Sequence, residues 1–261
     1  MVSKTGKRNH PHQRILAVAA HPDDVEFLMA GTLALLHQKG HQIFIATVGT
    51  GDMGSQELRN QEIANLRYQE ATESAKILNA PYYCLGESDL HFVFDNPTRF
   101  KTVELIRQIQ PDIVFTHSPQ DYMKDHEITA DLLWDACFNA SVPNYITNQP
   151  NPAKPTIKTP HLYYADAIEG MNRFGERINP QFYIDISSVI EIKTQMLSAH
   201  ESQRSWLQAQ HSMDRYIENM LQWSRLRGEE ISVAYAEGFT QHKGHPFPQD
   251  NCLIDLNFLI S

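Results

Sequence analysis

A short polar stretch between two apolar segments constrains the fold of this chain more than any other feature. Residues 19–26, AAHPDDVE, follow the apolar run 14–18, which predicts a buried strand, and precede the run 27–36, which predicts a helix. The polar residues therefore lie on a turn from a strand to a helix. Because ligands bind just beyond the carboxyl ends of the strands in an open α/β sheet, the stretch is a candidate binding site.

The spacing within this stretch predicts a metal site. His21 and Asp24 are three residues apart, so both side chains can point to one side at the start of a helical turn. Asp23 lies between them and must point elsewhere, close to the metal but not bound to it. Pro22 restricts the backbone and stiffens the turn. The alternative is a helix cap, in which Asp23 or Asp24 accepts hydrogen bonds from the first helical turn.

Composition narrows the class of protein. The chain has 261 residues, 41% of them hydrophobic, and we expect a single domain over residues 14–261 after a flexible, polar tail at residues 1–13. The net charge of −9, with no basic stripe, argues against a nucleic-acid partner. We expect no signal peptide and no membrane insertion, since no long apolar stretch is present. Three widely spaced cysteines predict reduced thiols and a cytoplasmic protein.

Strand-like and helix-like segments alternate, which predicts an α/β fold with a Rossmann-like, mostly parallel sheet flanked by helices. Beyond the first strand and helix, the predicted strands are 41–48, 81–85, 112–116, 161–166 and 182–186, and the predicted helices are 56–79, 98–110, 128–139 and 187–200. The region from about residue 203 onward is mainly helical in pattern. We expect it to form a C-terminal helical appendage on the sheet.

A glycine-rich segment raises an alternative function. Gly49–Gly54, GTGDMG, matches the G-x-G-x-x-G pattern of dinucleotide-binding loops. Such a site needs an acidic residue about 20 positions further on, at the end of the next strand. Glu73 has that spacing but falls inside a predicted helix. We therefore favour a loop at the carboxyl edge of the sheet, with a dinucleotide-dependent oxidoreductase as the alternative.

A second polar stretch, residues 117–127, follows the predicted strand 112–116. His126 stands at a helix start beyond the carboxyl end of this strand, so it faces the same edge of the sheet as the first stretch. Two His and one Asp form a three-ligand set that leaves a coordination position for water. Asp121 or Asp125 is then placed to orient the imidazole rings. The alternatives are a helix cap for Asp125 and a surface position for His126.

Three further side chains are expected to contact a substrate. Arg67 lies on the predicted helix 56–79, Asp89 lies in a loop where it can bind sugar hydroxyls, and Tyr122 lies in the second polar stretch. For Arg67 the alternative is an ordinary solvated charge, and for Asp89 it is a turn residue.

With both polar stretches in view, the chain resembles the LmbE/PIG-L family of zinc-dependent N-deacetylases. The family motif A-H-P-D-D-E appears at residues 20–26, with Val25 inserted before the glutamate, and the later D-H motif appears as Asp125-His126. Weaker similarity is found at residues 63–70, 185–187 and 199–203.

The resemblance implies a fold, a cofactor and a reaction. The fold is a Rossmann-like layer that binds one zinc ion per chain, with His21, Asp24 and His126 as ligands and Asp23 as the general base. The substrate is an N-acyl small molecule resembling N-acetylglucosamine. Relatives often assemble as trimers or hexamers, so a homo-oligomer is expected.

One position departs from the family pattern. Characterised deacetylases often carry H-x-D-H, whose first His stabilises the tetrahedral intermediate and protonates the amine, whereas this chain has Met123 there. Four side chains are candidates to replace it, with His242 as the first choice of catalytic acid: His117, Tyr122, His242 and His245. Either one of these side chains substitutes, or the reaction differs from sugar deacetylation. A metal-binding family member that does not catalyse is a further alternative.

Overall fold

One eight-stranded sheet organises the computed structural model, which describes residues 12–203, 216–255 and 259–260. The strands are β1 (Arg14–Ala19), β2 (Gln42–Gly49), β3 (Tyr82–Glu87), β4 (Ile113–Thr116), β5 (His161–Ala165), β6 (Phe182–Asp185), β7 (Ala236–Gln241) and β8 (Leu259–Ile260). Their order across the sheet is β3-β2-β1-β4-β5-β7-β6-β8. Strands β1 to β5 are parallel, while β7 runs antiparallel to both β5 and β6. The predicted mostly parallel α/β sheet is confirmed.

Helices cover both faces of this sheet. They are α1 (Asp24–Leu28), α2 (Ala30–Gln38), α3 (Asn60–Lys76), α4 (Asn96–Ile109), α5 (Lys124–Asn139), α6 (Ile190–Ser198), α7 (Tyr216–Glu230) and α8 (Cys252–Asp255), with 3-10 turns at Ile168–Gly170 and Ser187–Val189. Alternate residues of β1 belong to different cores. Ile15 and Ala17 pack in the cluster that includes residues of α1, α2 and α6, and Leu16 and Val18 pack in the cluster that includes residues of α4 and α5. Burial on both faces explains the continuous apolar run of this parallel strand.

Helix boundaries differ from the predictions at three places. The helix predicted over 27–36 is two helices, because Met29 has a φ of −143°, outside the helical region. Helix α3 begins at Asn60 instead of residue 56, where the Glu62 carboxylate accepts a hydrogen bond from the backbone N–H of Arg59. Helix α5 begins at Lys124 instead of residue 128, so the second polar stretch continues into its first turn.

The C-terminal region is more than a helical appendage. It contains the expected helix, α7, but residues 236–241 form β7, which lies inside the sheet between β5 and β6. Part of the predicted appendage, residues 204–215, lies outside the described residues, as does the tail up to residue 11. The single-domain boundaries stay a prediction. Within the described ranges, no helix combines the length and the apolar character needed to cross a bilayer.

Candidate metal centre

The two polar stretches meet where the sheet order reverses. Strand β1 lies between β2 and β4, so the connections that leave β1 and β4 diverge and open a crevice at their carboxyl ends. The turn after β1 carries His21 and Asp24, and the segment after β4 leads to His126. The topology therefore brings together residues that are about 100 positions apart in the chain.

Three buried donor atoms converge in this crevice. One donor atom each from His21, Asp24 and His126 lies within 4.8 Å of the others. An oxygen of Asp24, Oδ2, lies 3.3 Å from Nδ1 of His21 and 3.6 Å from Nε2 of His126. Two imidazoles and one carboxylate are a donor set that suits a divalent transition metal ion and leaves a position for water. The residues present therefore fit such an ion.

Two carboxylates orient the imidazole rings. Nε2 of His21 donates a hydrogen bond to Asp125 Oδ2 at 3.0 Å, and Nδ1 of His126 donates one to Asp121 Oδ1 at 3.0 Å. In each ring, the nitrogen that faces away from Asp24 donates to one of these carboxylates, and the other nitrogen faces Asp24. Asp121 and Asp125, the two carboxylates predicted to orient the imidazole rings, thus each bond to one ring.

The electrostatics of the donor set favour a bound cation. Burial lowers the pKa of His21, but its hydrogen bonds to Asp125 and Asp24 raise the pKa to about 10. Burial raises the pKa of Asp24, yet the neighbouring His126 and His117 hold it well below its usual range. In the absence of metal, protons therefore occupy this site, and a metal ion would replace them.

His117 contacts both the end of β1 and the ring of His126. Its buried ring stacks on His126 with centroids 4.0 Å apart, and its Nε2 accepts a hydrogen bond from the backbone N–H of Ala20 at 2.9 Å. His117, Asp121 and His126 form a second group with metal-like spacing, but that group shares His126 with the first. Because its Nε2 is engaged by the Ala20 amide, His117 is a poor replacement for the imidazole missing at Met123.

Asp23 lies beside the donor set and outside it. Its Oδ1 is 3.2 Å from Nη2 of Arg67, and its Oδ2 accepts a hydrogen bond from the Tyr216 hydroxyl at 2.6 Å. The backbone of Asp23 has a φ of 109°, a conformation that non-glycine residues adopt only when their surroundings enforce it. Burial raises the pKa of Asp23 more than the Arg67 charge lowers it. The carboxylate is therefore fixed in place and is more basic than an ordinary Asp.

Tyr216 is a site residue that sequence reasoning missed. It is the first described residue of α7 and lies 193 positions from Asp23 in the chain. A tyrosine in a mainly polar helix carries no local pattern that predicts such a contact.

The glycine-rich segment packs closely against the side chain of Arg67. The Gly51 N–H donates to Asp89 Oδ1 at 2.9 Å, and a Cβ on Gly51 would come within 2.6 Å of Arg67 Cδ. Helix α3 starts only at Asn60, so no helix N-terminus follows the glycines to hold a phosphate. These contacts argue against the dinucleotide alternative.

The donor set opens into a cavity of about 740 Å³. The side chains expected to contact substrate all line it, although Arg67 and Asp89 are buried at its base while Tyr122 is half exposed. Met123, at the position of the missing family His, lines it as well. The remaining lining residues are His21, Asp23, Asp24, Phe27, Met53, Gly54, Leu90, His126, Ile168, Glu169, Met171, Gln203, Tyr216, Asn219, Gln222, Trp223 and Leu226.

The structure does not bring His242, the predicted catalytic acid, to the donor set. Strand β7 runs antiparallel to β5, so its last residues pair with the start of β5, and the His242 N–H donates to the Leu162 carbonyl. That position is the edge of the sheet opposite the metal centre. The His242 ring packs against Trp134 and Phe247, and the exposed His245 follows in the same loop.

Comparisons with known proteins identify relatives that are similar in sequence and in fold. Residues 16–137 match the sequence profile of the family described as PIG-L: GlcNAc-PI de-N-acetylase. The chain is 26% identical over 193 residues to 4-oxalmesaconate hydratase of Pseudomonas putida, covering 71% of this chain and 72% of that protein. It is 26% identical over 203 residues to diacetylchitobiose deacetylase of Thermococcus kodakarensis, covering 73% and 70%. The structure of N,N'-diacetylchitobiose deacetylase from Pyrococcus horikoshii superposes with a TM-score of 0.76 at 24% identity, over 94% of this chain and 91% of that one.

Proposed function

We propose that this chain, whose residues 16–137 belong to the PIG-L family, is a zinc-dependent N-deacetylase. It removes an acetyl or related acyl group from an amide nitrogen of a small molecule that resembles N-acetylglucosamine. The observation that carries the proposal is the arrangement of Asp23 beside the three donors His21, Asp24 and His126 but outside them. A metal site with a separate, fixed carboxylate is suited to hydrolysis by an activated water.

Each group of residues at the site has a separate role in the proposed reaction. One zinc ion, held by His21, Asp24 and His126, would supply an activated water and a polarised amide carbonyl. Asp23 accepts the proton of the attacking water and returns it to the departing amine. Arg67 and Tyr216 each hold one oxygen of Asp23, which keeps this carboxylate from becoming a fourth ligand.

The substrate is held by side chains around the same cavity. Asp89 and Arg67 are placed at its base, and the half-exposed Tyr122 stands at its side. Tyr122 contacts the His126 ring edge-on, with centroids 5.5 Å apart, so a substrate bound near His126 would meet it. A homo-oligomer and a cytoplasmic location stay predictions.

The first test measures metal content and acetate release together. Wild type is expected to hold about one zinc per chain and to release acetate from N-acetylglucosamine derivatives. His126→Ala removes a donor and should lose both properties. His245→Ala, a change at the opposite edge of the sheet, is the matched control and should keep both. Retention of zinc by His126→Ala would contradict the assigned site, and zinc without acetate release from a broad N-acetyl panel would contradict the assigned reaction.

A second candidate function is hydration of a carbon–carbon double bond. Two observations favour it: the relative from Pseudomonas putida is a hydratase, and Met123 cannot donate a hydrogen bond to the oxyanion of a tetrahedral intermediate. Adding water across a double bond puts a hydroxyl group on one carbon and a proton on the other, so a base that takes a proton from water and returns it to carbon is sufficient and no amine has to leave. Met123→His separates the two functions, because it should raise acetate release and leave hydration of 4-oxalmesaconate unimproved.

A further inference from the structure

The cavity is much larger than an acetyl group requires. Its volume is about 740 Å³, and the donor set with Asp23 occupies only its base. Cavities of a few hundred to a thousand cubic ångströms enclose most of a drug-sized molecule. Most of the cavity is therefore available to the part of the substrate that lies beyond the acylated nitrogen.

The exposed side chains at the mouth of this cavity are mainly apolar, although Glu169 also lines it and is exposed. Five large side chains that line it are between 37% and 65% exposed: Met53, Leu90, Tyr122, Met171 and Leu226. They come from separate loops and from α7, yet they surround a single opening. Exposed apolar side chains gathered around one concave site mark a surface that binds an apolar group.

Helix α7 forms one wall of the cavity, and apart from Gln222 its lining side chains change from polar near the base to apolar near the mouth. Tyr216, Asn219, Trp223 and Leu226 follow one another at intervals of three or four residues, so they share one face of the helix. Tyr216 reaches Asp23 at the base, whereas Leu226 lies ten residues further along the helix. At a rise of 1.5 Å per residue, the apolar end is about 15 Å from the base. That distance exceeds one sugar ring and leaves space for an attached group.

The apolar end of the wall is already ordered. The Arg227 guanidinium lies 4.4 Å from the centre of the Trp223 ring, and its Nε donates to Asp166 at 2.5 Å. Gly170 packs so closely that a Cβ there would come within 2.5 Å of both Trp223 and Arg227. A wall held in this way loses little conformational entropy when a ligand binds.

From these observations we infer that the substrate is amphipathic. Its acylated amine lies at the polar base, and an aryl or alkyl group on the amine-bearing part lies against Met171, Trp223 and Leu226 at the mouth. The chain therefore prefers an aryl or alkyl glycoside of N-acetylglucosamine to the free sugar or to a carboxylate-rich compound. This inference rests on the proposed deacetylase function.

The test compares substrates that differ only in the apolar group. The zinc-loaded protein is assayed for acetate release from the methyl, phenyl and octyl glycosides of N-acetylglucosamine. We expect kcat/KM for the phenyl and octyl glycosides to exceed that for the methyl glycoside by about tenfold or more. Leu226→Gln should reduce this preference at least threefold. Ile157→Gln, which changes an apolar residue that is 99% exposed and does not line the cavity, should leave the preference intact.

Direct binding separates failure of this inference from failure of the proposed function. Quenching of tryptophan fluorescence by the octyl and methyl glycosides reports affinity whether or not turnover occurs. Tighter binding of the octyl glycoside without acetate release would overturn the deacetylase function and support the apolar binding site. Equal kcat/KM values and equal affinities for the two glycosides, or a preference that survives in Leu226→Gln, would overturn the inference.

Discussion

Asp23 is the residue on which the proposed reaction depends most. Asp23→Asn keeps the size of the side chain and removes the base, so we expect turnover to fall by a factor of about 10²–10⁴. Zinc content should stay near one per chain, because the donors are His21, Asp24 and His126. Steady-state kinetics and elemental analysis of the same preparation check both expectations. Near-normal turnover in this variant would show that another group takes the proton.

Tyr216 tests whether the position of Asp23 matters as well as its presence. Tyr216→Phe removes one hydrogen bond to a carboxylate, a contact worth roughly 1.5–3 kcal/mol. We expect kcat to fall about tenfold or more, while zinc content is retained and KM changes less than kcat. Tyr183→Phe is the matched control, since its hydroxyl bonds to Glu230, away from the cavity. An unchanged kcat in Tyr216→Phe would mean that Arg67 alone suffices to hold Asp23.

At the scale of elements, the glycine-rich loop acts through Arg67. Gly51 and Gly86 both have positive φ, 78° and 81°, so an alanine at either position is strained to a similar degree. Only at Gly51 does the added Cβ also meet Arg67, at 2.6 Å, while nothing lies within 4 Å at Gly86. Gly51→Ala should therefore lower kcat/KM several-fold more than Gly86→Ala, and it should also lower thermal stability more because the added Cβ displaces buried Arg67. Equal decreases in kcat/KM for the two variants would contradict a role of this loop in catalysis.

A buried carboxylate joins three elements beneath the site. Glu237 of β7 accepts hydrogen bonds from the backbone N–H groups of Gly31 and Thr32 at the start of α2, and it pairs with Lys193 of α6 at 2.5 Å. Removing one partner of a buried ion pair costs roughly 3–5 kcal/mol, because the other charge is left unpaired.

We therefore expect Glu237→Gln to lower the free energy of unfolding by several kcal/mol, measured by chemical denaturation. Glu73→Gln, which breaks the exposed pair with Lys76, is the control and should change stability by less than about 1 kcal/mol. The double variant Glu237→Gln with Lys193→Met should be less destabilised than the two single changes predict in sum. Strict additivity would mean that the two charges do not stabilise each other.

At the scale of the whole molecule, metal binding should be linked to proton release. His21 in the metal-free protein has a pKa of about 10, above its ordinary value of 6.5, so it carries a proton at pH 7 to 8 that a metal must displace. Because the protonated form competes, apparent metal affinity should rise with pH across this range. Calorimetric titrations in buffers of different ionisation enthalpy should report about one or more protons released per zinc. An enthalpy independent of the buffer would contradict this linkage.

Removal of the metal should also lower thermal stability. A ligand that binds only the folded state stabilises it, so a chelator should lower the melting temperature of wild type. His126→Ala should show little further change on chelation, which makes it the control for unspecific effects of the chelator. The same midpoint for wild type with and without chelator would argue against a tightly bound ion.

Local sequence pattern was sufficient for the part of the site that lies on single turns. The spacing of His21 and Asp24 after an apolar strand predicted their convergence, and Asp125 and His126 beyond another strand predicted the rest of the donor set. These predictions were possible because parallel strands end at one edge and a helical turn fixes which side chains share a side. The strand and helix alternation likewise predicted the parallel half of the sheet.

Only the tertiary structure decided the contacts that join distant segments. Tyr216 reaches Asp23 across 193 positions, and His242 lies at the sheet edge away from the donor set because β7 enters the sheet antiparallel. Neither outcome has a local cause, since strand direction and helix placement depend on packing against the whole sheet. The sequence by itself predicted the three candidate donors and the neighbouring Asp23, because these residues lie on local turns. The fold decided that Arg67 and Tyr216 hold Asp23 and which apolar side chains line the cavity, because long-range packing fixes those neighbours.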